Sequence, residues 1–595
     1  MNILLNFTKN KPQDIKENIK FIKDELITTY SLKEFLGWYG VAFISVENSA
    51  PLTVDCDNDN FFVAGGVYTS SEPLNNLCDL NEVLKNISGH YLIVQQRKNG
   101  SILIATDPMS SIPLYIYKDN GLICMSTRLD WLITHVKREW NISWEQIFSF
   151  VLNSGYAGRR VFIDDIYLAE YGSIYSFSNA GEFVSDQFWS PPFSSKSKFN
   201  NEDYKAVADV LEDVVRTVMN KYNKIVIPLT AGVDSRLVLA AALKIDRSKV
   251  ETLTHGFTDS NHPDVKVAIQ LAKAASVPHK YLDSNNLILD TLAKSERDEF
   301  IHKTTGGQTR HNFIYDLMMY DCFDEMGYDL ELKGLAGGLF KAKWHSGVLK
   351  SKITEKDTKK YRKLFGGKAK QALFNLDEKF MNICQEDCPN QIDDKLFPEW
   401  LSFAVRFSNR IAPRTFFQIN RFNSFNPFYD RKFLDSYLNI SFKNRENAMV
   451  HLKMIEYLSP ELLTVPYLFL NKYYMFVNGR PMLINNTELA TMGYKNYKKS
   501  VSRLQYFLRR ILSKIGLHNK SNSNPVPADW EYIKGSFLNN LKPVLDDAKF
   551  LFPDELENIS FNDFISNPNL DSRSFRFYSL MKFISYCSSK GVSFK

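Results

Sequence analysis

The residues with the most chemical content sit in one short turn. Thr230, Ala231, Gly232, Val233, Asp234 and Ser235 follow the apolar run "KIVIPL" and open a helix-like run, "RLVLAAALK". Small residues let backbone amides approach an anion closely, and a helix N-terminus adds the positive end of its dipole. Thr230 and Ser235 hydroxyls can donate to phosphate oxygens. Asp234 adds negative charge, which suits a phosphate cradle when a Mg²⁺ is shared between carboxylate and phosphates. The plain structural alternative is a glycine turn with an Asp/Ser helix cap.

The elements around the turn follow from apolar periodicity. "DYKAVADVLEDVVRTVMNKY" has helical spacing, and a strand, "KIVIPLT", follows it. A helix, a second strand "KVETLTHGFT", a helix "HPDVKVAIQLAKAAS" and a third strand "PHKYLD" come next. This alternation predicts a parallel sheet with right-handed crossovers. Ligands of such sheets bind beyond the C-terminal strand ends, where residues 230–235 fall. Upstream, residues 1 to about 195 read as short strands. "RKNG" and "KDNG" between apolar runs predict hairpins. "SPPFSSKSKFNNED" is polar and reads as a linker. Beyond residue 285 the pattern is mostly helical. Residues 494–520 form a basic amphipathic segment with Val501, Leu504, Leu508, Ile511, Leu512 and Ile515 on one face. It reads as a surface helix packed on the domain, with a membrane-surface helix as the alternative.

Bulk composition excludes several classes. A chain of 595 residues exceeds one core and divides into domains. A net charge of +6 is small for that length and makes no case for a nucleic-acid partner. Seven scattered cysteines form no disulfide framework, and no second pair completes a zinc site around Cys384 and Cys388. The first residues lack a signal-peptide pattern, and no run reaches the ~18 apolar residues of a membrane span. A cytoplasmic location is expected.

Thr230–Ser235 resembles the Ser-Gly-Gly-x-Asp-Ser pyrophosphate loop of N-type ATP pyrophosphatases. The domain order resembles the asparagine synthetase family up to about residue 470. "GHYLIVQQRKNGSILIATDPMSSIPLYIY" is similar to that family's amidotransferase-like domain, with Asp107, Pro113, Leu114 and Tyr115 as matching residues. "YAGRRVFIDDIYLAEYGSIYSF" resembles the end of that domain. "VETLTHGFTDSNHPDVKVAIQLAKAASVPHKYLD", "KGLAGGLFKAKW" and "NPFYDRKFLD" resemble the second strand and helix, the Gly-rich loop and the Pro-Phe-Leu-Asp turn of the synthetase domain.

The resemblance implies α/β and α+β classes: an N-terminal Ntn-type αββα sandwich, then a doubly wound parallel-sheet adenine-nucleotide (PP-loop) domain with a helical C-terminal part. The expected boundaries are 1–190 for the glutamine amidotransferase-like domain, 191–202 for the linker, 203–485 for the ATP pyrophosphatase domain and 486–595 for a helical extension packed on it. ATP and Mg²⁺ are the implied cofactors. Thr230 through Arg236 would hold the pyrophosphate, Asp234 the metal, and Thr254, Gly256 and Phe257 the adenosine. Gly337 and Gly338 stand in the Gly-rich loop. Arg236, Lys341, Lys443, Arg445 and Lys453 are candidate cations for the leaving group, with Lys443 and Lys453 in the catalytic-lysine region. "TTGGQTRHNF" would line the acyl pocket through Gly306, Gly307, Arg310 and His311.

Two departures bear on activity. Members that hydrolyse glutamine carry a cysteine after the initiator Met, and this chain has Asn2. The loop at 334–342, usually acidic, has no acid. The reading is therefore an ATP-dependent, AMP-forming amide ligase without glutaminase activity. A small-molecule or peptide carboxylate and ammonia or an amine would be its partners, and a second copy of the chain is a further candidate. The alternatives are an intramolecular cyclase of a peptide or natural product, and a catalytically degenerate nucleotide-binding or scaffold protein.

Overall fold

A computed structural model describes residues 2–8, 27–35, 38–45, 54–56, 59–69, 79–178, 182–193, 199–257, 260–283, 304–308, 311–335, 337–340, 353–389, 392–409, 412–470, 472–485, 543–556 and 572–595. The basic segment 494–520, Arg310 and Lys341 lie outside them.

The N-terminal half contains β1 (Asn2–Thr8), β2 (Ile27–Phe35), β3 (Trp38–Ser45), β4 (Val54–Cys56), β5 (Asp59–Thr69), β6 (Ile87–Gln96), β7 (Ile102–Thr106), β8 (Tyr115–Lys118), β9 (Leu122–Ser126), β10 (Glu139–Trp140), β11 (Ile166–Leu168), β12 (Ser173–Phe177) and β13 (Phe183–Gln187). Its helices are α1 (Leu80–Asn86), α2 (Leu129–His135) and α3 (Trp144–Asn153). Two six-stranded antiparallel sheets form, in the orders β11-β8-β9-β1-β3-β2 and β13-β12-β7-β6-β5-β4.

Side-chain alternation stacks these sheets. Ile3 and Leu5 of β1 meet Leu92, Val94, Ile102 and Ile104 of the other sheet. The intervening Leu4 faces outward against Leu129, Leu132 and Phe148 of α2 and α3. Tyr91 and Ile93 face the opposite way, against Leu80, Val83 and Leu84 of α1. The result is an α-β-β-α sandwich, as the sequence led us to expect. Both expected hairpins form, β6–β7 through Arg97–Gly100 and β8–β9 around Asp119, whose N–H donates to Leu122 O at 2.9 Å.

The second half is built on β14 (Ile225–Pro228), β15 (Val250–Phe257), β16 (His279–Asp283), β17 (Leu330–Leu332) and β18 (Ser424–Phe425). All pair in parallel, in the order β16-β15-β14-β17-β18. The chain adds β15 and β16 on one side of β14, then returns to add β17 and β18 on the other. β14 is therefore the topological switch point. Ile225 and Ile227 pack towards α4 (Asn201–Met219) and α5 (Val233–Asp246) on one face. Val226 and Leu253 pack towards Phe323 of α6 (His311–Glu325) on the other.

The region expected to be mostly helical also carries strands. β17 and β18 have three and two residues, too short for a periodic signal. A small antiparallel sheet follows, made of β19 (Tyr467–Phe469), β20 (Lys472–Val477) and β21 (Arg480–Leu483). The C-terminal segment touches both halves. Gly366 N–H donates to Glu555 O at 2.9 Å. β22 (Ser593–Phe594) pairs with β10, and the helix Ser572–Ser589 donates from Arg576 Nε to Val151 O of α3 at 2.9 Å. Among the described residues no helix is long and apolar enough to cross a membrane.

Polar contacts join the halves. Arg159 Nη1 donates to Asn409 Oδ1 at 2.7 Å, and its backbone N–H donates to Asp387 Oδ2 at 2.7 Å. Asn426 N–H donates to Nε2 of the buried His90 at 2.9 Å. Burial lowers the His90 pKa from 6.5 to about 3. An unfolded chain takes that proton near 6.5, so stability is full above 6.5 and falls as pH drops towards 3. At pH 5 this one histidine costs about 2 kcal/mol. Denaturant melts at pH 7 and pH 5 test this: His90→Asn should shrink the difference by about that amount, and an equal drop in both proteins would count against it.

Candidate functional site

β14 ends at Pro228, and the turn that follows is held from every side. Leu229 N–H donates to Leu253 O at 2.7 Å, and Thr254 Oγ1 donates to Leu229 O at 2.8 Å. Ala231 N–H donates to Asp264 Oδ1 at 3.1 Å, while its carbonyl accepts from Leu468 N–H at 2.8 Å. Neither Ala231 nor Gly232 takes a positive φ; Gly232 has φ −70°. Alanine in place of the usual glycine therefore costs the loop no strain.

Gly232 is the N-cap of α5 and no side chain caps that helix. Its N–H reaches Thr230 Oγ1 at 3.2 Å, and Thr230 N–H donates to Ser235 Oγ at 3.3 Å. The two hydroxyl oxygens lie 3.4 Å apart. Two hydroxyls thus stand beside a 14-residue helix whose first turn carries its partial positive charge outward.

The segment after β17 closes on this first turn. A β-carbon on Gly334 would lie 2.8 Å from the Asp234 carbonyl carbon and 3.0 Å from Ser235 N. A β-carbon on Gly337 would fall inside the Asp234 carboxylate. Gly337 and Gly338 begin a short helix, Gly337–Phe340. On the other flank the β15–β16 register shifts between Thr254 and Phe257. Gly256 has φ +86° there, with open space where a β-carbon would point. Thr254, Gly256 and Phe257 thus form an irregular strand end beside the turn.

The candidate cations are distributed differently from expectation. Arg236 is fully buried and points away from the turn. It donates to the carbonyls of Leu462 and Val465 at 2.9 and 2.7 Å and of Pro466 at 2.7 Å. As the fourth residue of α5 it lies on the core face. Arg445 is also buried, bonded to Glu399 and to Ile440 O. Neither is available to a leaving group. Lys443 is exposed on the short helix Phe442–Arg445. Lys453 pairs with Glu456 at 2.8 Å and lies over the Phe476 ring. Among the described residues Gly306 and Gly307 are packed closely against their neighbours. Both have positive φ, and β-carbons there would press on Tyr115 and Leu129, and on Phe583. Of His311 the backbone alone is described, as the first residue of α6.

Two features escaped the sequence reading. His451, on helix α7 (Met449–Leu458), is fully buried, with Nε2 3.3 Å from Asp234 Oδ1 and Nδ1 2.6 Å from Tyr437 Oη. The signal was present: in "VHLKMIEYL" the histidine occupies a buried position of an amphipathic helix, where a polar group needs a partner. The second is a set of charges at the C-terminal strand ends. Lys333 Nζ lies 2.9 Å from Glu331 Oε2, which also accepts from Ser424 Oγ at 2.9 Å. Arg414 Nε donates to Asp316 Oδ2 at 2.6 Å, and Gln418 Nε2 donates to the same oxygen at 3.0 Å. His255, at the end of β15, is held down to about 4, first by burial, with Asp316, Lys333 and Arg414 as its charged neighbours.

These residues do not fit a protein-held Mg²⁺. Oδ1 of Asp234 faces His451, Gly337 packs on the same carboxylate, and the neighbouring loop offers no second acid. Among the described residues no group of three or more His, Cys, Asp or Glu could hold a metal ion. A single carboxylate that shares Mg²⁺ with bound phosphates, the role expected of Asp234, does not require such a cluster.

The Gly337 contact has a measurable consequence. Gly337→Ala should lower stability by about 1–3 kcal/mol through overpacking. Gly121→Ala, where nothing lies within 4 Å, should be near neutral. Parallel denaturant titrations would show the contrast; equal effects would contradict the close approach.

Residues 206–295 match the family model described as asparagine synthase. A search of the curated proteins gives no match. Similar solved structures include the allosteric regulatory enzyme of purine biosynthesis, at 8% identity over 47% of this chain and 80% of that one, with a TM-score of 0.22. The glutamine phosphoribosylpyrophosphate amidotransferase from B. subtilis, complexed with ADP and GMP, is 10% identical over 47% and 65%, with a TM-score of 0.21. The glutamine-dependent NAD+ synthetase from Acinetobacter baumannii, in complex with ADP, is 14% identical over 32% and 39%, with a TM-score of 0.18. At these TM-scores the overlaps carry no argument about activity. The matched stretch contains β14, the 230–235 turn, β15 and β16, and the chain is asparagine synthetase-like there, as its motifs suggested.

Proposed function

We propose that this protein is an ATP-dependent ligase that adenylates a carboxylate and joins it to ammonia or an amine. The observation that carries the reading is the turn at the switch point, where the Thr230 and Ser235 hydroxyls stand beside the start of α5, which has no side-chain cap, at the C-terminal end of β14.

In this proposal the β- and γ-phosphates of ATP sit on the turn, held by the Thr230 and Ser235 hydroxyls and by Gly232 N–H once it exchanges its bond to Thr230 Oγ1. Ala231 supports the cradle without donating to it, since its N–H is taken by Asp264. Gly334 and Gly337 let the loop after β17 close on the Asp234 side of the turn. Adenosine would rest against the irregular β15 end at Thr254–Phe257. A carboxylate oxygen of the substrate attacks the α-phosphorus, and the bond to the β-phosphate oxygen breaks, giving an acyl-adenylate and pyrophosphate. The amine nitrogen then adds to the acyl carbon, AMP leaves with the C–O electron pair, and a proton is lost from nitrogen. The protein contributes orientation and fixed dipoles. Arg310, from the segment before α6, and His311, the first residue of α6, are the candidates to face the acyl substrate. Residue 2, where the resemblance expects a cysteine, is Asn, so the sandwich half is proposed to act without glutaminase chemistry.

A second reading is a nucleotide-binding relative without turnover. The acid-free loop packed on Asp234 favours it. Pyrophosphate release with ATP, Mg²⁺ and pooled carboxylic acids separates the two. The ligase reading expects release that is abolished in Asp234→Ala and an ATP Kd raised about tenfold in Ser235→Ala, the loss of one hydrogen bond to a charged group. ATP binding without release would support the second reading. Equal release by wild type and Asp234→Ala would remove the catalytic assignment of this site. Product mass distinguishes amidation from cyclisation, since a cyclised product is dehydrated substrate.

A further inference from the structure

A second carboxylate holds the turn, from the segment that follows β15. Ala231 N–H donates to Asp264 Oδ1 at 3.1 Å. Asp264 is the second residue of the helix Pro263–Ala274, and the His262 side chain accepts from its N–H at 3.2 Å. Burial pushes the Asp264 carboxyl up, and the Ala231 bond is the leading influence that holds it down. The next peptide is gripped from another segment, since Ala231 O accepts from Leu468 N–H at 2.8 Å. Ala231 itself is fully buried.

We infer that Asp264 is a positioning residue of the proposed phosphate cradle, which needs its hydrogen-bond acceptor and not its charge. Two peptide planes lead into α5, Thr230–Ala231 and Ala231–Gly232. Each is flat, and its C=O and N–H point in opposite directions. Asp264 fixes the first plane and Leu468 the second. With the Ala231 carbonyl turned to Leu468, Gly232 N–H points the other way, where Thr230 Oγ1 meets it at 3.2 Å. Asp264 thus helps to aim the amide that the cradle uses, without itself binding phosphate. Its negative charge opposes phosphates nearby, so an uncharged acceptor of the same shape should serve at least as well. The cradle part of this inference rests on the proposed nucleotide site; the Asp264 contact does not.

Asp264→Asn and Asp264→Leu separate acceptor from charge in the full-length protein. Titration with ATP and with pyrophosphate should give Asp264→Leu a Kd about fivefold above wild type, as for one lost hydrogen bond. Asp264→Asn should bind both at least as tightly as wild type. AMP, which lacks the outer phosphates, should bind all three proteins alike, whereas a general loosening of the fold would weaken it too. With ¹⁵N-alanine labelling, the Ala231 amide is assigned by its loss in Ala231→Gly. It should exchange for deuterium slowly in wild type and Asp264→Asn, and faster in Asp264→Leu. Asp264→Asn binding as weakly as Asp264→Leu, or Asp264→Leu binding like wild type, would overturn the inference. If wild type bound neither ATP nor pyrophosphate, the nucleotide site would fall while Ala231 exchange still judged the contact. If Asp264→Leu did not fold, the wild-type exchange and the Asp264→Asn titration would decide.

Discussion

The site depends on the hydrogen-bonded pairing of β14 with β17. Ile225 lies opposite Leu330 and Val226 opposite Glu331. Parallel neighbours send their exits out of the same edge of the sheet, so two loops must share the space above adjacent strands, about 4.8 Å apart. The exit from β14 becomes the first turn of α5, and the exit from β17 lies on top of it. Gly334 meets the Asp234–Ser235 backbone and Gly337 the Asp234 carboxylate, so a β-carbon on either would collide. The start of α5, the direction of Asp234 and the covering of its carboxylate all follow from this one adjacency.

Rigidity around the turn comes from buried charges bonded to distant segments. Burying a guanidinium is costly unless its donors are met. Arg236 meets three carbonyls between Leu462 and Pro466, which fastens the segment after α7 to α5. Two residues further, Leu468 N–H bonds Ala231 O. The turn is thus clamped by a segment more than 200 residues away in sequence. The Arg414–Asp316 and Lys333–Glu331 pairs brace the other strand ends in the same way. A cradle held by such contacts keeps its hydroxyls and amides in one arrangement before any ligand arrives, which is the condition under which fixed dipoles are effective.

The sandwich half is joined to this framework by polar and aromatic contacts. His90 accepts from Asn426 one residue beyond β18, with its ring against Phe425 and Tyr429. Gly306 and Gly307 let a short segment pass between α2 and the C-terminal helix. Motif reading assigned these glycines to a ligand pocket. In the structure they pack against Tyr115, Leu129 and Phe583, and positive φ and close approach call for glycine at an interface as readily as at a ligand.

Local periodicity made much of the fold legible. Alternating residues such as Ile3, Leu4 and Leu5 declare two faces of a strand, and "RKNG" and "KDNG" declare tight turns. The small residues at 230–235 between a strand and a helix mark a tight bend whatever surrounds it. Each of these signals acts over a few residues, so sequence alone carries it. Tertiary structure decided the rest, because the determinants are distant in the chain. β17 and β18 are too short to show a period and exist only by pairing with β14 and with each other. Arg236 reads as a phosphate ligand by proximity, yet the helix turns it 100° per residue away from the bend and into a ring of carbonyls. His451 reaches Asp234 across more than 200 residues. Direction of a side chain and nearness of remote segments are set by packing, and packing has no local signature.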